Sequence, residues 1–458
     1  MRGARWSLLL LAVGLSIQPL GEPAIGQESP PNILVILTDD QRAAGTVTQL
    51  AMPVTRRWLL DSGTRFPNAF ATTPLCCPSR ASIYTGQYAH NHGVLLNDDT
   101  PKLDHADTVQ RYLLDAGYHT GIVGKYLNNW PIEEPPPFFE RFALLDPPEY
   151  WGARANEDGH LRTVSRYSTD YIAARSRALI RDFEATDTTP WLLFVQTNAP
   201  HAPFRPEPAY ADAPVGKWNG NPAVAERNLD DKPPYVRDDT NPVTLEEGRE
   251  FRRRQLRTLM SVDDLVQLVF QTLADARELG RTLVVFLSDN GFMWGEHGRG
   301  AKTHAYTHSV AIPFFVRWPG HSVPGAMDPR LVANIDVAPT ILDAAGVTPA
   351  HEVDGRPLFN PFSRTHLFLE SFFTPPAKGI PPWGSSRTTT EQYVEYYSGD
   401  PQRVVFREYY DRQADPWELR NLLRDGDPSN NPASLGLLEA QVNQGRGCHG
   451  TVGPEACP

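Results

Sequence analysis

The chain has 458 residues, 40% of them hydrophobic, and carries a formal net charge of −11. This length allows a large hydrophobic core and more than one domain. The acidic balance argues against a nucleic-acid-binding protein, which would need a basic surface, but it still allows a local basic site for an anionic ligand.

The N-terminal residues have the features of a secretory signal peptide. Arg2 and Arg5 precede an apolar run over residues 6–17, and Ala24-Ile25-Gly26, with a small residue on each side of Ile25, offers a cleavage site. An uncleaved anchor is the alternative, although the run is short for a membrane span. We therefore expect a signal peptide over residues 1–26 and no stable membrane association.

Apolar, β-rich runs alternate with helical patterns over some 300 residues of the chain. Runs that are apolar throughout are typical of strands buried on both faces of a parallel sheet. The predicted strands are 32–37, 64–71, 119–123, 191–196, 283–287 and 312–317. The predicted helices are 53–61, 77–86, 108–116, 168–183 and 245–278, the last with an alternative break near Ser261. The fold class is therefore α/β, with a large, mostly parallel sheet between layers of helices.

Two stretches, 130–165 and 204–243, are rich in proline and are predicted to be excursions outside the core. From about residue 364 the pattern changes to short strands, including 392–397 and 404–410. These strands predict a smaller antiparallel α+β domain at the C-terminal end.

The four cysteines divide into an adjacent pair and a pair in the glycine-rich tail. Cys448 and Cys457, in the tail, are expected to form a disulfide in an oxidising compartment. The sequence contains no glycosylation sequon, which a secreted eukaryotic protein would usually carry. We therefore expect a secreted or periplasmic protein of bacterial origin.

The adjacent pair, Cys76 and Cys77, begins the stretch on which the rest of the argument depends. Pro78 favours a helix that opens at Cys77 or Pro78, so Cys76 would lie at a helix N-terminus, where negative charge is stabilised. Arg80 would lie one turn further along the same face, with a guanidinium suited to a tetrahedral oxyanion. This predicts a nucleophile facing a bound sulfate or phosphate; a capped helix with two buried thiols is the alternative.

Polar residues follow two of the predicted strands. Asp39 and Asp40 end the first strand, while Asp289 and Asn290 end the strand 283–287, so both pairs should open on the same edge of the sheet. Hard oxygen ligands favour Ca²⁺ or Mg²⁺ over Zn²⁺, and outside the cytoplasm calcium is the better expectation. Acidic residues that only cap the following helices are the alternative.

Three further polar residues lie near predicted strand ends. Lys125 is placed to meet an anionic oxygen, His201 lies between prolines after the strand 191–196, and Lys302 precedes the strand 312–317. Each alone could be an ordinary loop residue. Other histidines nearby are expected to stabilise loops: His90, His92, His297 and His304.

The run from Cys76 through Pro78-Ser79-Arg80 to Thr85-Gly86 resembles the signature of the sulfatase family, with Tyr84 where leucine is commoner. Other segments also look like sulfatase segments, several of them closest to the N-acetylglucosamine-6-sulfatase and heparan endosulfatase branch: 124–128, 200–203, 259–266, 335–340 and 415–422. Together these matches cover most of residues 31–425.

The resemblance implies an alkaline-phosphatase-like fold and a role for each residue named above. Cys76 would be oxidised by a formylglycine-generating enzyme to formylglycine (3-oxoalanine), whose hydrated aldehyde is the nucleophile. The cation would be bound by Asp39, Asp40, Asp289, Asn290 and residue 76. The sulfate would be bound by Arg80, Lys125, His201 and Lys302, with His201 as a candidate proton donor. Many arylsulfatases have a histidine two residues after the first lysine, where this chain has Leu127 and then Asn128.

The expected activity is hydrolysis of a sulfate monoester, either of a sugar such as N-acetylglucosamine-6-sulfate or of a small aryl sulfate. Residues 27–362 would form the catalytic domain, and 363–458 the C-terminal subdomain and tail. One alternative is a phosphate or phosphonate ester hydrolase of the same superfamily. The other is a secreted glycan-binding protein in which Cys76 stays unconverted.

Overall fold

The computed structural model describes residues 30–146, 149–186, 189–372, 379–398 and 403–458. The predicted signal peptide lies outside these residues. Among the described residues, no helix combines the length and the apolarity needed to cross a membrane.

Most strands belong to one large sheet, and the last four form a separate one. The strands are β1 Asn32–Thr38, β2 Thr64–Arg65, β3 Asn68–Phe70, β4 His119–Gly124, β5 Arg141–Asp146, β6 Arg154–Glu157, β7 His160–Thr163, β8 Trp191–Gln196, β9 Thr282–Ser288, β10 Met293–Trp294, β11 Gly300–Ala301, β12 Phe314–Arg317, β13 Ala326–Met327, β14 Leu331–Ala333, β15 Leu367–Ser371, β16 Trp383–Arg387, β17 Glu391–Tyr397 and β18 Val404–Asp411. The large sheet has the order β13-β2-β12-β9-β1-β8-β4-β5-β6-β7. Its centre, from β9 to β5, is parallel, whereas β12, β6 and β7 are antiparallel to a neighbour.

Helices cover both faces of this sheet. They are α1 Pro53–Thr55, α2 Cys76–Thr85, α3 Ala89–His92, α4 Val109–Asp115, α5 Ser168–Glu184, α6 Pro234–Arg237, α7 Leu245–Asp275, α8 Thr307–Val310, α9 Val337–Ala344 and α10 Leu435–Gly445. Side chains alternate along β1: Ile33 and Val35 pack with residues of α2, α4 and α9, whereas Leu34 and Ile36 pack with residues of α5 and α7. The predicted α/β class, with a mostly parallel sheet between helices, is confirmed.

Residues 130–165 were wrongly expected to lie outside the core, because they supply β5, β6 and β7. β5 pairs in parallel with β4, and its apolar residues point alternately into the two cores, with Phe142 on one side and Ala143 on the other. The flanking prolines concealed this short strand. Residues 204–243, by contrast, contain only a 3₁₀ turn and α6.

Three smaller differences concern element boundaries. The predicted strand 64–71 divides into β2, which joins the large sheet, and β3, which pairs with β14. Helix α7 runs unbroken past Ser261. Residues 56–60 form a π-helical turn after α1 instead of continuing the predicted α-helix.

The C-terminal strands form the predicted small antiparallel sheet, in the order β15-β16-β17-β18. The disulfide between Cys448 and Cys457 is present. The tail is bound to the rest of the chain by His90, whose Nδ1 lies 2.9 Å from Glu370 Oε2 and whose Nε2 lies 3.0 Å from the Cys448 carbonyl oxygen. The domain boundary at 362/363 stays a prediction.

Gly124, the last residue of β4, sets the backbone direction that delivers Lys125. Its φ is +104°, and a Cβ there would overlap the carbonyl oxygen of Gln196. We expect Gly124→Ala to lower the free energy of unfolding by about 4 kcal/mol or more, since it adds backbone strain to a steric clash. Urea denaturation measures this change.

Gly117 is the matched control, because its φ is +88° but a Cβ added there would meet no heavy atom within 4 Å. Gly117→Ala should therefore lower the free energy of unfolding only by the cost of backbone strain, about 1–2 kcal/mol. Equal losses in the two variants would contradict the proposed clash at Gly124.

His90 predicts a pH-dependent contribution to stability. Burial lowers its pKa, but Glu370 and the Cys448 carbonyl outweigh burial and raise the pKa to about 9, with Asp354 nearby. An unfolded histidine titrates near 6.5, so the contribution should be complete below about pH 6.5 and lost as the pH rises through about 9. Urea denaturation of the native protein and His90→Gln across this range should show their difference shrinking as the pH rises. A difference that stays constant from pH 6 to 10 would contradict the assignment.

Candidate active site

Four neighbouring parallel strands deliver the predicted site residues to one edge of the sheet. Strand β1 is followed by Asp39 and Asp40, and β9 is followed by Asp289 and Asn290. Lys125 follows β4, while the loop after β8 contains His201. Because these strands are adjacent and parallel, their carboxyl ends meet at one place.

Helix α2 brings Cys76 to the same place. The helix begins at Cys76, one residue earlier than the sequence predicted. The Sγ atom lies 3.6 Å from Asp39 Oδ1 and 2.9 Å from Lys302 Nζ. One ligand atom from each of Asp39, Asp40, Cys76 and His201 lies within 4.8 Å of the others. Residues far apart in sequence therefore share a single cluster.

Three buried carboxylates at this edge of the sheet, those of Asp39, Asp40 and Asp289, are matched by three basic side chains. Lys125 contacts Asp39, Lys302 contacts Asp40, and Arg80 Nε lies 3.0 Å from Asp289 Oδ2. Burying such charges is costly unless they are paired and hydrogen-bonded, as they are here. The ion pairs therefore stabilise the buried carboxylates in the folded protein.

The pairs also govern the pKa values of the site. Burial would raise the pKa of Asp39, but the positive charge of Lys125, followed by smaller contributions from His201, Lys302 and Arg80, holds it well below its usual range. Burial and the neighbouring Asp39 raise the pKa of Asp289, against the effect of Arg80. Burial opposes charge on Lys302, but Asp40 raises its pKa well above the usual value.

Cys76 is a poor nucleophile as an unmodified thiol. Burial, with a further contribution from Asp39, raises its pKa to about 12, although Lys125 and Lys302 act in the opposite direction. The reactive form of cysteine is the thiolate, so at neutral pH the side chain would remain inactive.

The oxygen atoms of the cluster fit a hard divalent cation. Asp40 and Asn290 lie together, with Asn290 Nδ2 2.7 Å from Asp40 Oδ1, and Asn290 Oδ1 is buried without a hydrogen-bond partner among the described residues. Asp40 has a φ of +66°, a left-handed conformation that is uncommon outside glycine and clusters at functional sites. Three carboxylates and one amide oxygen form a donor set that suits Ca²⁺ or Mg²⁺.

Arg80 makes contacts within the protein that the sequence did not indicate. It is fully buried, and its Nη1 donates to Gln196 Oε1 at 2.6 Å and to the Lys125 carbonyl oxygen at 3.1 Å, in addition to its pairing with Asp289. These contacts brace the ends of three strands. A contact between Arg80 and sulfate stays a prediction.

A cleft of about 960 Å³ opens above the cluster, with Asp40, His201 and Lys302 among its lining residues. Segments 234–243 and 298–304 supply much of its wall. His201 Nδ1 lies 2.7 Å from the Ala202 carbonyl oxygen, and its Nε2 lies 3.7 Å from Asp40 Oδ2. The histidine is therefore oriented at the base of an accessible space.

Sequence reasoning missed two polar residues of the site. Gln196 accepts a hydrogen bond from Arg80 through Oε1 and donates one through Nε2 to the Tyr84 hydroxyl at 2.6 Å. Asn97 Oδ1 accepts from the backbone N–H of Cys77 at 3.0 Å. A polar residue at the end of the apolar strand β8 was a signal for Gln196. Asn97, the first residue of the 3₁₀ turn Asn97–Lys102, offered none.

The histidines that were expected to stabilise loops make local contacts. His92 Nε2 lies 3.1 Å from Ser82 Oγ, His297 Nδ1 lies 2.5 Å from Glu226 Oε2, and His304 Nε2 lies 3.3 Å from the Gly300 carbonyl oxygen. His304 also lines the cleft. None of these three occurs in the metal-ligating cluster of the described residues.

Comparison with protein-family models gives two matches. The sulfatase model matches residues 31–347. The model of the N-sulphoglucosamine sulphohydrolase C-terminal region matches residues 295–436.

Three curated relatives are also named as sulfatases. Extracellular sulfatase homologues of Caenorhabditis elegans and Drosophila melanogaster are 31% and 34% identical over 72% of this chain, which spans only 49% and 31% of their lengths. Human N-acetylglucosamine-6-sulfatase is 28% identical over 97% of this chain and 89% of its own length.

Solved structures share the fold. A protein in complex with its substrate D-glucosamine-2-N,6-O-disulfate has a TM-score of 0.81 at 21% identity, over 91% of this chain and 97% of its own. The phosphonate monoester hydrolase of Agrobacterium radiobacter has a TM-score of 0.69 at 22% identity, over 90% of this chain and 95% of its own. At these identities the likeness concerns the fold alone.

Replacing Arg80 should destabilise the fold, because it leaves a buried carboxylate unpaired. We expect Arg80→Met to lower the free energy of unfolding by about 3–5 kcal/mol, because the Asp289 carboxylate would stay buried without the guanidinium that pairs with it. Arg111→Met is the control, since Arg111 forms an exposed pair with Asp115 and its loss should cost about 1 kcal/mol or less. Chemical denaturation of both variants measures the difference. Similar small losses would contradict a bracing role for Arg80.

Proposed function

The chain belongs to the sulfatase family, and from that premise we propose that it hydrolyses sulfate monoesters of sugars, using a formylglycine at position 76 and a bound divalent cation. The observation that carries the proposal is the position of Cys76. Its Sγ lies within 3.6 Å of both Asp39 and Lys302, at the junction of the acidic cluster and the cleft.

Conversion of Cys76 is supported by the chemistry of its surroundings. A hydrated aldehyde at this position would present a hydroxyl nucleophile beside Lys302, whose Nζ lies 2.9 Å from Cys76 Sγ. Because Cys76 is only 1% exposed, a formylglycine-generating enzyme would have to act before the chain has folded. The run Cys76-Cys77-Pro78-Ser79-Arg80 is the segment that such an enzyme would recognise.

The cation would be bound by Asp39, Asp40, Asp289 and Asn290, together with residue 76. Calcium is the expected ion and magnesium the alternative, since the set is rich in oxygen. When bound, the ion supplies positive charge that favours both sulfate oxygens and an ionised hydroxyl on the nucleophile.

The protein's own side chains would then bind sulfate and move a proton. Lys302, in contact with Cys76, and Lys125, in contact with the neighbouring Asp39, would hold the sulfate oxygens, with Arg80 keeping Asp289 in place. His201 donates through Nδ1 to the Ala202 carbonyl, so Nε2 is the nitrogen that would exchange a proton with the substrate, and it can donate only when the ring is in the imidazolium form. From there His201 would protonate the departing alcohol oxygen.

A sulfated sugar is the proposed substrate class. Its support comes from the names of the N-acetylglucosamine-6-sulfatase relative and of the glucosamine disulfate complex. The cleft of about 960 Å³ also falls in the size range of small-ligand pockets and could take a sugar ring together with its sulfate. A secreted or periplasmic location is proposed with it, and the disulfide between Cys448 and Cys457 suits that compartment.

Two adjacent cysteines provide a matched test of the nucleophile. We expect the protein co-expressed with a formylglycine-generating enzyme to release sulfate from 4-nitrophenyl sulfate and from N-acetylglucosamine-6-sulfate. Cys76→Ala should fold and still bind Ca²⁺ but lose activity by roughly 10³-fold or more, because the nucleophile is gone. Cys77→Ala should retain most of the activity, since Cys77 Sγ only accepts from the backbone N–H of Asn128.

The mass of the tryptic peptide 66–80 supplies the second measurement. It should be lighter than the unmodified peptide, because conversion of the Cys76 thiol to an aldehyde exchanges sulfur for oxygen and removes two hydrogen atoms, and this difference should disappear in Cys76→Ala. An unchanged mass in the co-expressed protein would favour a glycan-binding protein. Faster release of phosphate from the matched nitrophenyl phosphate would favour the phosphoester hydrolase alternative.

A further inference from the structure

Gln255, in the middle of α7, contacts backbone atoms of the active site. It is fully buried, and its Nε2 donates to the Asp40 carbonyl oxygen at 3.2 Å and to the Pro200 carbonyl oxygen at 3.3 Å. Asp40 is one of the proposed cation ligands, and Pro200 directly precedes His201. A single amide group therefore connects the two loops that carry a metal ligand and the proposed proton donor.

The orientation of this amide is determined by its third contact. Trp294 Nε1 donates to Gln255 Oε1 at 2.6 Å. An indole nitrogen can only donate, so the amide oxygen must face Trp294 and the NH₂ group must face the two carbonyls. Each polar atom of the side chain thus has the partner that its chemistry requires.

Trp294 is itself held in place from several sides. The Arg42 guanidinium lies 4.1 Å from the centre of its ring. The backbone N–H of Trp294 donates to Glu296 Oε2 at 2.6 Å. Arg42 and Glu296 form a buried pair at 2.9 Å. Gly248 lies two turns before Gln255 on α7, and a Cβ there would overlap the Trp294 carbonyl oxygen, so helix and loop are in close contact.

The backbone that Gln255 contacts at Asp40 has an unfavourable conformation. Asp40 has a φ of +66°, and its N–H donates to Asp289 Oδ1 at 3.1 Å while its carbonyl accepts from Gln255. A non-glycine residue persists in this conformation only where its surroundings determine it. The peptide groups on both sides of Asp40 are thus held by separate hydrogen bonds.

We propose that Gln255 is a positioning residue of the cation site: its amide anchors the backbone of Asp40, a proposed cation ligand, against the loop that carries His201. The inference rests on the proposed function, because it assumes that Asp40 binds a cation. Outer hydrogen bonds of this kind orient metal ligands, and their loss weakens metal binding by about 10–100-fold.

Calorimetric titration of Ca²⁺ into the protein co-expressed with a formylglycine-generating enzyme tests the proposal without using activity. Gln255→Met keeps the volume but removes all three hydrogen bonds, and we expect its Ca²⁺ affinity to fall by about 10–100-fold. Gln110→Met is the matched control. Gln110 is also fully buried in a helix, but its amide atoms have no hydrogen-bond partner among the described residues, so the affinity should stay within about twofold.

Trp294→Phe provides a second variant in case Gln255→Met fails to fold. It retains an aromatic ring beside Arg42 but removes the donor that orients the amide, so Ca²⁺ affinity should fall several-fold. Circular dichroism and thermal melting would establish that each tested variant is folded at the temperature of titration.

The outcomes separate this inference from the proposed function. If the native protein binds no Ca²⁺ or Mg²⁺, the proposed function fails. If the native protein binds Ca²⁺ and folded Gln255→Met binds within twofold of it, Gln255 has only a packing role and the inference is overturned. If Gln255→Met does not fold, an unchanged affinity in Trp294→Phe overturns it in the same way.

Discussion

The burial of three carboxylates at one edge of the central sheet is the constraint on which the rest of the structure depends. Asp39, Asp40 and Asp289 are at most 2% exposed, and isolated ionised groups at such depth would cost several kcal/mol each. Arg80, Lys125 and Lys302 offset that cost. A bound divalent cation would leave an excess of positive charge, which the sulfate ester and an ionised hydroxyl at residue 76 would neutralise. The arrangement is therefore balanced when empty and also when cation and substrate are both bound.

Much of this edge could be predicted from the sequence because its elements are local. Apolar runs such as 32–37 define buried strands, and the polar residues that follow them must lie at strand ends. The parallel arrangement of β9, β1, β8 and β4 then brings Asp39, Asp289, His201 and Lys125 together. The position of Cys76 at a helix start was also readable, since Pro78 favours the first turn.

Other features depend on tertiary packing that no local pattern contains. The strand 141–146 is short and bordered by prolines, so it looked like part of a surface loop. Whether Arg80 faces a substrate or braces strand ends depends on the depth of α2 in the fold. Gln255 lies in a long helix with an ordinary local pattern, and only the packing of α7 against Asp40, Pro200 and Trp294 reveals its contacts.

Tyr84 illustrates how one departure from the family pattern is accommodated. Its ring is fully buried beside Phe194, where leucine would need no polar partner, but a buried hydroxyl requires one. Gln196 supplies it with Nε2 and uses Oε1 to accept from Arg80. The larger aromatic residue is therefore coupled, through one amide, to the arginine that holds Asp289. Because the strand ends and α2 provide the reactive groups while segments 234–243 and 298–304 supply much of the cleft wall, selectivity among sulfate esters would be decided by loops that can vary without disturbing this network.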